Sequence, residues 1–181
     1  MMKKLILKSS DEGMFEIDES VAVQSDLIKQ MIDVDCVDAD THQIIPLPEV
    51  KTDILSKVIE YCKKHESSSS SKKIIIEEEE EDEDDEDSKK IKKERLEKEE
   101  KIRKWDEEFM KQMDHKAIFD IILAANYMNI KSLMDLGCQT IADLINGKKA
   151  EEIREIFGIK NDFTPEEEEE IKRENQWTCE N

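Results

Sequence analysis

The chain has 181 residues and a formal net charge of −19 at pH 7, with 41% charged, 37% hydrophobic and 5% aromatic residues. Such an acidic chain repels phosphate backbones and anionic lipid, which excludes nucleic acid and membrane surfaces as expected partners. The length suits one domain with appendages, and the aliphatic residues gather in two blocks around a polar middle, so a core is available only outside that middle.

Residues 4–17, KLILKSSDEGMFEI, place two short apolar runs around an SSDEG turn containing Gly13, which predicts a β-hairpin. Residues 20–33, SVAVQSDLIKQMID, shift to helical spacing through Leu27, Ile28, Met31 and Ile32, with Ser25 as a candidate cap. IIPLPEV (44–50) predicts a short strand, since its prolines disfavour helix just before them. TDILSKVIEYCKKH (52–65) then puts Ile54, Leu55, Val58, Ile59 and Cys62 on one helical face.

At residue 66 the pattern breaks. ESSSSSKK leads into an unbroken acidic run, Glu77–Asp87, which self-repels and stays solvated. Residues 89–104 are helical by propensity, but Ile91, Leu96 and Ile102 are their only apolar residues. A core register starts near Ile102 and continues through Trp105, Phe109 and Met113.

The last third is helical. Ile118, Ile121, Ile122 and Ala125 form one stripe; Leu133, Met134, Gly137, Ile141, Leu144 and Ile145 form another, with Gly147 as its stop. Ile153, Ile156 and Phe157 mark a shorter helix, and Thr164-Pro165-Glu166-Glu167 is a strong helix start. The fold class expected from this order is α+β, a small three-stranded sheet with helices added at its end.

No catalytic, metal or cofactor constellation emerges. His42, His65 and His115 have no neighbouring cysteine or serine in a nucleophile context and read as surface histidines, and the four glycines do not space a phosphate cradle. Cys36, Cys62, Cys138 and Cys179 form no CxxC pair, so free buried thiols and no metal are expected. The N-terminal apolar run is too short for a signal peptide, and a reducing address in cytoplasm and nucleus follows. The tail stands out: Ile153, Ile156, Phe157, Ile159, Phe163, Ile171 and Trp177 sit among short charged helices that cannot bury them alone. Such helices either fold back or present a groove to an apolar partner, and Trp177 is a candidate anchor.

The segments KSSDEGMFEID (8–18), PLPEV (46–50), WDEEFM (105–110), FDIILAANYMNIKSLMDL (119–136) and EEIREIFGIKNDFTPEEEEEIKRENQW (151–177) resemble the S-phase-kinase-associated adaptor family of SCF ubiquitin ligases. The resemblance covers nearly the whole chain except about residues 66–100. It implies a BTB/POZ-type domain whose first part is 1–65, an acidic disordered insertion at 66–100, helices at 101–146 completing the domain, and F-box-binding helices at 147–181. The function implied is that of a non-enzymatic adaptor bridging a cullin N-terminus to F-box substrate receptors in an SCF E3 ubiquitin ligase. Asn126 and Tyr127 would then face the cullin. Ile153, Phe157, Ile159, Asn161, Asp162, Phe163 and Trp177 would contact the F-box. A weak homodimer of the free chain stays open. Two departures fall in or beside the F-box surface: Lys149-Ala150 replaces the family's threonine–proline pair, and Thr178 is inserted after Trp177. The alternatives are an elongin-type adaptor in another cullin or chromatin assembly, which would lack helices after Gly147, and an acidic chaperone resting on Glu77–Asp87.

Overall fold

The computed structural model describes residues 4–34, 44–74 and 86–175. The hairpin forms as its turn residues predict. β1 (Lys4–Ser9) and β2 (Met14–Asp18) pair antiparallel, with Leu5 opposite Ile17 and Leu7 opposite Phe15. β3 (Ile44–Leu47) joins the other side of β1 in parallel, so the sheet order is β2-β1-β3. β3 is thereby an edge strand, where Pro46 leaves no central ladder short of an N–H. Alternation along the strands buries Leu5, Leu7 and Ser9 of β1 with Ile45 and Leu47 of β3.

Gly13 matters through crowding rather than backbone freedom. The left-handed position of the turn is Glu12, at φ 69°. A Cβ on Gly13 would lie 2.2 Å from Thr52 Oγ1 and 2.8 Å from Ser9 Oγ.

Residues 20–33, expected as one helix, divide into α1 (Glu19–Ala22) and α2 (Asp26–Val34). Ser25 accounts for the break: its Oγ accepts the Ile28 N–H at 3.2 Å and donates to the Met128 carbonyl at 2.5 Å. The side chain therefore serves two elements from a buried position between them.

α3 (Thr52–Ile74) buries Ile54, Leu55, Val58, Ile59 and Cys62 as the stripe predicts, and Tyr61 as well. It packs on α1, β2 and α5 (His115–Tyr127). The helix runs on past residue 66 to Ile74. α4 (Glu86–Lys111) is solvent-exposed at Leu96 and reaches the core at Phe109 and Met110.

His65 is a correction to the surface reading. Its ring stacks on Tyr61 at 4.0 Å, and Nε2 lies 3.2 Å from the Asp106 carboxylate of α4, with both side chains mostly buried. Trp105 stacks on Phe109 at 4.8 Å and meets His65 edge-on at 6.1 Å, so α3 and α4 are clasped by aromatic contacts.

α5 is capped by Asp114, whose carboxylate accepts the Ala117 N–H at 2.8 Å. α6 (Lys131–Ile145) approaches α5 closely at Gly137, where a Cβ would lie 2.5 Å from Ile122 Cγ1. Each fully buried Leu or Ile in this core contributes roughly 1.5–3 kcal/mol.

The chain separates into two compact units, Met1–Asp143 and Leu144–Asn181. The second holds α7 (Ala150–Phe157) and α8 (Pro165–Glu174), neither of which buries a residue. Burial pushes the Cys62 thiol up to about 12, so that cysteine is an inert core residue. Cys138 is exposed, contrary to the expectation of buried thiols. Cys36, Cys179 and His42 lie outside the described residues. Among the described residues no cluster could hold a metal ion, and no helix is long and apolar enough to cross a membrane.

Candidate functional site

The C-terminal end of α5 is held from two sides. Met128 follows the helix and receives the Ser25 hydroxyl. Asn129 then turns left-handed at φ 54°, and its side-chain amide donates to Asp26 at 3.2 Å. The Ile130 N–H returns to the Ala125 carbonyl at 2.8 Å and closes the helix end. Asn126 and Tyr127 thus sit on a fixed platform.

α5 is apolar on more than its core face. Ile118, Ile121, Ala124 and Ala125 are buried. On the opposite arc, at i, i+4 and i+7, stand Phe119 (42% exposed), Leu123 (66% exposed) and the exposed Asn126. A surface helix is ordinarily polar on that arc, and an apolar one marks an interaction face. Phe119 and Leu123 lie outside the core stripe that periodicity picks out; the sequence signal for them is that LAANY leaves few polar residues for a solvent face. Tyr127, expected to be exposed, is half-buried and packs against the core. Burial raises its hydroxyl pKa, with the Glu49 charge adding to the effect. It is an edge residue of this face, with one side in the core.

The second unit presents a different apolar surface. In α7, Ile153, Ile156 and Phe157 are half-buried. The chain then turns at Gly158, left-handed at φ 63°, with the Ile159 N–H returning to the Arg154 carbonyl at 2.8 Å. Ile159 (56% exposed) and Phe163 (47% exposed) follow in the segment before α8, and Ile171 is exposed on α8 itself. Asn161 and Asp162 are also exposed, and Asn161 Oδ1 accepts the Phe163 N–H at 3.2 Å. The unit therefore gathers Ile153, Phe157, Ile159, Asn161, Asp162 and Phe163 along one short stretch. Trp177 and Thr178 lie outside the described residues.

The two helices of this unit start differently. Thr164 caps α8: its Oγ1 accepts the Glu167 N–H at 3.3 Å while Glu167 reaches back to the Thr164 N–H at 2.9 Å. That pairing with Thr164 lowers the Glu167 pKa. At α7 only half of this arrangement exists. Glu152 accepts the Lys149 N–H at 2.8 Å, but lysine has no acceptor to offer in return.

Comparison with known proteins places the chain among similar sequences. The profile described as the Skp1 family tetramerisation domain matches residues 3–67, and that of the Skp1 family dimerisation domain matches residues 131–178. The chain is 59% identical to SKP1-like protein 1 of Oryza sativa subsp. japonica over 178 residues, covering 98% of this chain and 96% of that protein. It is 49% identical to SKP1-like protein 1A of Arabidopsis thaliana over 182 residues, covering 98% of each, and 50% identical to SKP1-like protein 13 of the same plant.

Proposed function

Because the chain belongs to the Skp1 family and is a Skp1-type adaptor with a BTB/POZ-like domain followed by C-terminal helices, we propose that it bridges a cullin N-terminus to F-box proteins in an SCF ubiquitin ligase. The carrying observation is that one chain bears two exposed apolar surfaces, Phe119 and Leu123 beside the polar Asn126 on α5, and Ile159 and Phe163 between α7 and α8. A bridging adaptor needs two such surfaces, one for each partner.

In this reading α5, with Asn126 and the edge of Tyr127, takes the cullin. The exposed aliphatic and aromatic side chains there supply buried area once covered, and Asn126 supplies directional hydrogen bonding at the rim. The tail residues Ile153, Phe157, Ile159 and Phe163 take the F-box, with Asn161 and Asp162 as polar neighbours. The matched tail beyond Gly147 disfavours an elongin-type adaptor, which would end there. Binding titrations of the full chain against a cullin N-terminal domain and against an F-box domain test both arms. Saturable binding to each supports the proposal, and failure to bind either domain contradicts it. Sedimentation of the free chain in the same buffers measures the weak homodimer, which would compete for one of these surfaces.

A further inference from the structure

We propose that Arg154 is the positioning residue of the F-box-facing surface, holding Phe163 and α8 in place from α7; this rests on the proposed F-box reading for its functional consequence, though not for its structural one. Residues 158–164, which display Ile159 and Phe163, have no regular secondary structure of their own. The Gly158 turn and the Asn161–Phe163 bond shape this segment locally, and side chains at its ends tie it to the helices. Arg154 is the one cation in the α7 sequence AEEIREIF. Its guanidinium lies over the Phe163 ring at 5.8 Å from the centroid, and its Nη1 lies 3.6 Å from Glu168 Oε1 of α8. The Arg154 and Glu168 side chains are 21% and 28% exposed, so solvent screens the pair only in part.

One side chain thus touches the middle of the segment and the helix beyond it, while its own carbonyl takes the Ile159 N–H. Lys172 adds an outer strut, 3.6 Å from Glu151 and 3.8 Å from Glu168, but it is well exposed. Arginine suits the inner role. Its planar fork holds several N–H donors in fixed geometry and is more weakly hydrated than an ammonium group, so one side chain can face a ring and a carboxylate with less lost freedom. The Phe163 ring remains 47% exposed, so the pin steadies one side of the ring without covering it.

The test uses the full chain with Arg154→Gln, Arg154→Lys, Glu168→Gln and the Arg154→Gln/Glu168→Gln double variant. Amide exchange of 151–163 is measured in the free chain, and affinity is measured for a recombinant F-box domain. Arg154→Gln is expected to speed exchange across 151–163 and to weaken F-box binding about five- to tenfold, the combined scale of a cation–π contact and a partly screened ion pair. Arg154→Lys, keeping charge without the stack, falls between. Glu168→Gln gives part of the effect, and the double variant falls well short of the sum of the two single effects, because Arg154 and Glu168 share one contact while the exposed Lys172–Glu168 pair adds little. Weaker binding with unchanged exchange would mean that Arg154 touches the partner directly and would overturn the positioning role, as would no change in either readout. A wild-type chain that binds no F-box domain would contradict the proposed function, leaving the pin to stand or fall on exchange alone.

Discussion

Asp11 Oδ1, in the β1–β2 turn, accepts both the backbone N–H of Thr52 at 2.8 Å and its hydroxyl at 2.6 Å. The turn of the hairpin therefore caps the first residue of α3, from forty-one positions away. Ser9 completes the cluster, its hydroxyl donating to Asp11 at 2.7 Å and lying 2.8 Å from Thr52 Oγ1. The sheet and the central helix of the BTB/POZ-like domain are tied by this carboxylate.

The tie carries a pH dependence. The Thr52 hydroxyl first, then the Ser9 hydroxyl, lower the Asp11 carboxyl from 3.8 to about 2. A carboxyl depressed on folding contributes stability that is present above its unfolded pKa and is lost as pH falls through the folded value. The stability difference between wild type and Asp11→Asn should be constant above about pH 5 and should shrink between about pH 4 and pH 2. Urea unfolding of both proteins across that range measures it, and a difference that does not vary with pH refutes the capping account.

Next to it, Gly13→Ala should be destabilising by about 1–3 kcal/mol, because a Cβ collides with a Thr52 side chain that Asp11 holds in place. Glu12→Gly, at the left-handed position, should change stability by less than about 1 kcal/mol, since relief of backbone strain offsets added chain entropy. Thermal unfolding of the two variants separates crowding from backbone freedom; equal effects would show that the distinction is wrong.

Much of the fold was legible from periodicity alone. The hairpin, the α3 stripe, the α5 stripe and the Thr164 cap each follow from spacing that local chemistry enforces. What escaped was tertiary. Ser25 reads as a simple cap, and only its bond to Met128 shows why one helix becomes two. His65 looks solitary because Asp106 lies forty-one residues away. Phe119 and Leu123 escape a search for one core stripe, because a helix with two apolar arcs offers one too many candidates. Asn126 falls off the core stripe by spacing and is exposed, whereas the burial of Tyr127 depends on neighbours that no spacing rule specifies.

Lys149→Thr with Ala150→Pro should stabilise α7. Threonine supplies the acceptor that lysine lacks at this cap, completing what Glu152 has half built, and proline fits the first helical position. The expected gain is about 1 kcal/mol, read as slower amide exchange over 151–157. F-box affinity should tighten several-fold if ordering of α7 is part of the binding cost. No slowing of exchange would show that the existing half-cap already suffices.

Replacing residues 67–88 by a short Gly/Ser linker should change the melting free energy and both partner affinities by less than about 1 kcal/mol. The serine and acidic runs offer little apolar area to offset ordering entropy. The Tyr61–His65–Trp105–Phe109 clasp remains to join α3 and α4 without them. A larger loss in calorimetry or titration would assign the acidic segment a structural or binding role.

The central claim, that one chain bridges two partners through separate surfaces, is tested most directly by ternary capture. An immobilised cullin N-terminal domain should retain a soluble F-box domain only when the adaptor is present. Leu123→Asp, at an exposed α5 position, should abolish capture while leaving the binary F-box affinity unchanged. Phe163→Asp should leave the chain on the cullin and lose the F-box. If the cullin holds the F-box equally well without the chain, or if each variant weakens both arms together, the bridging account is wrong.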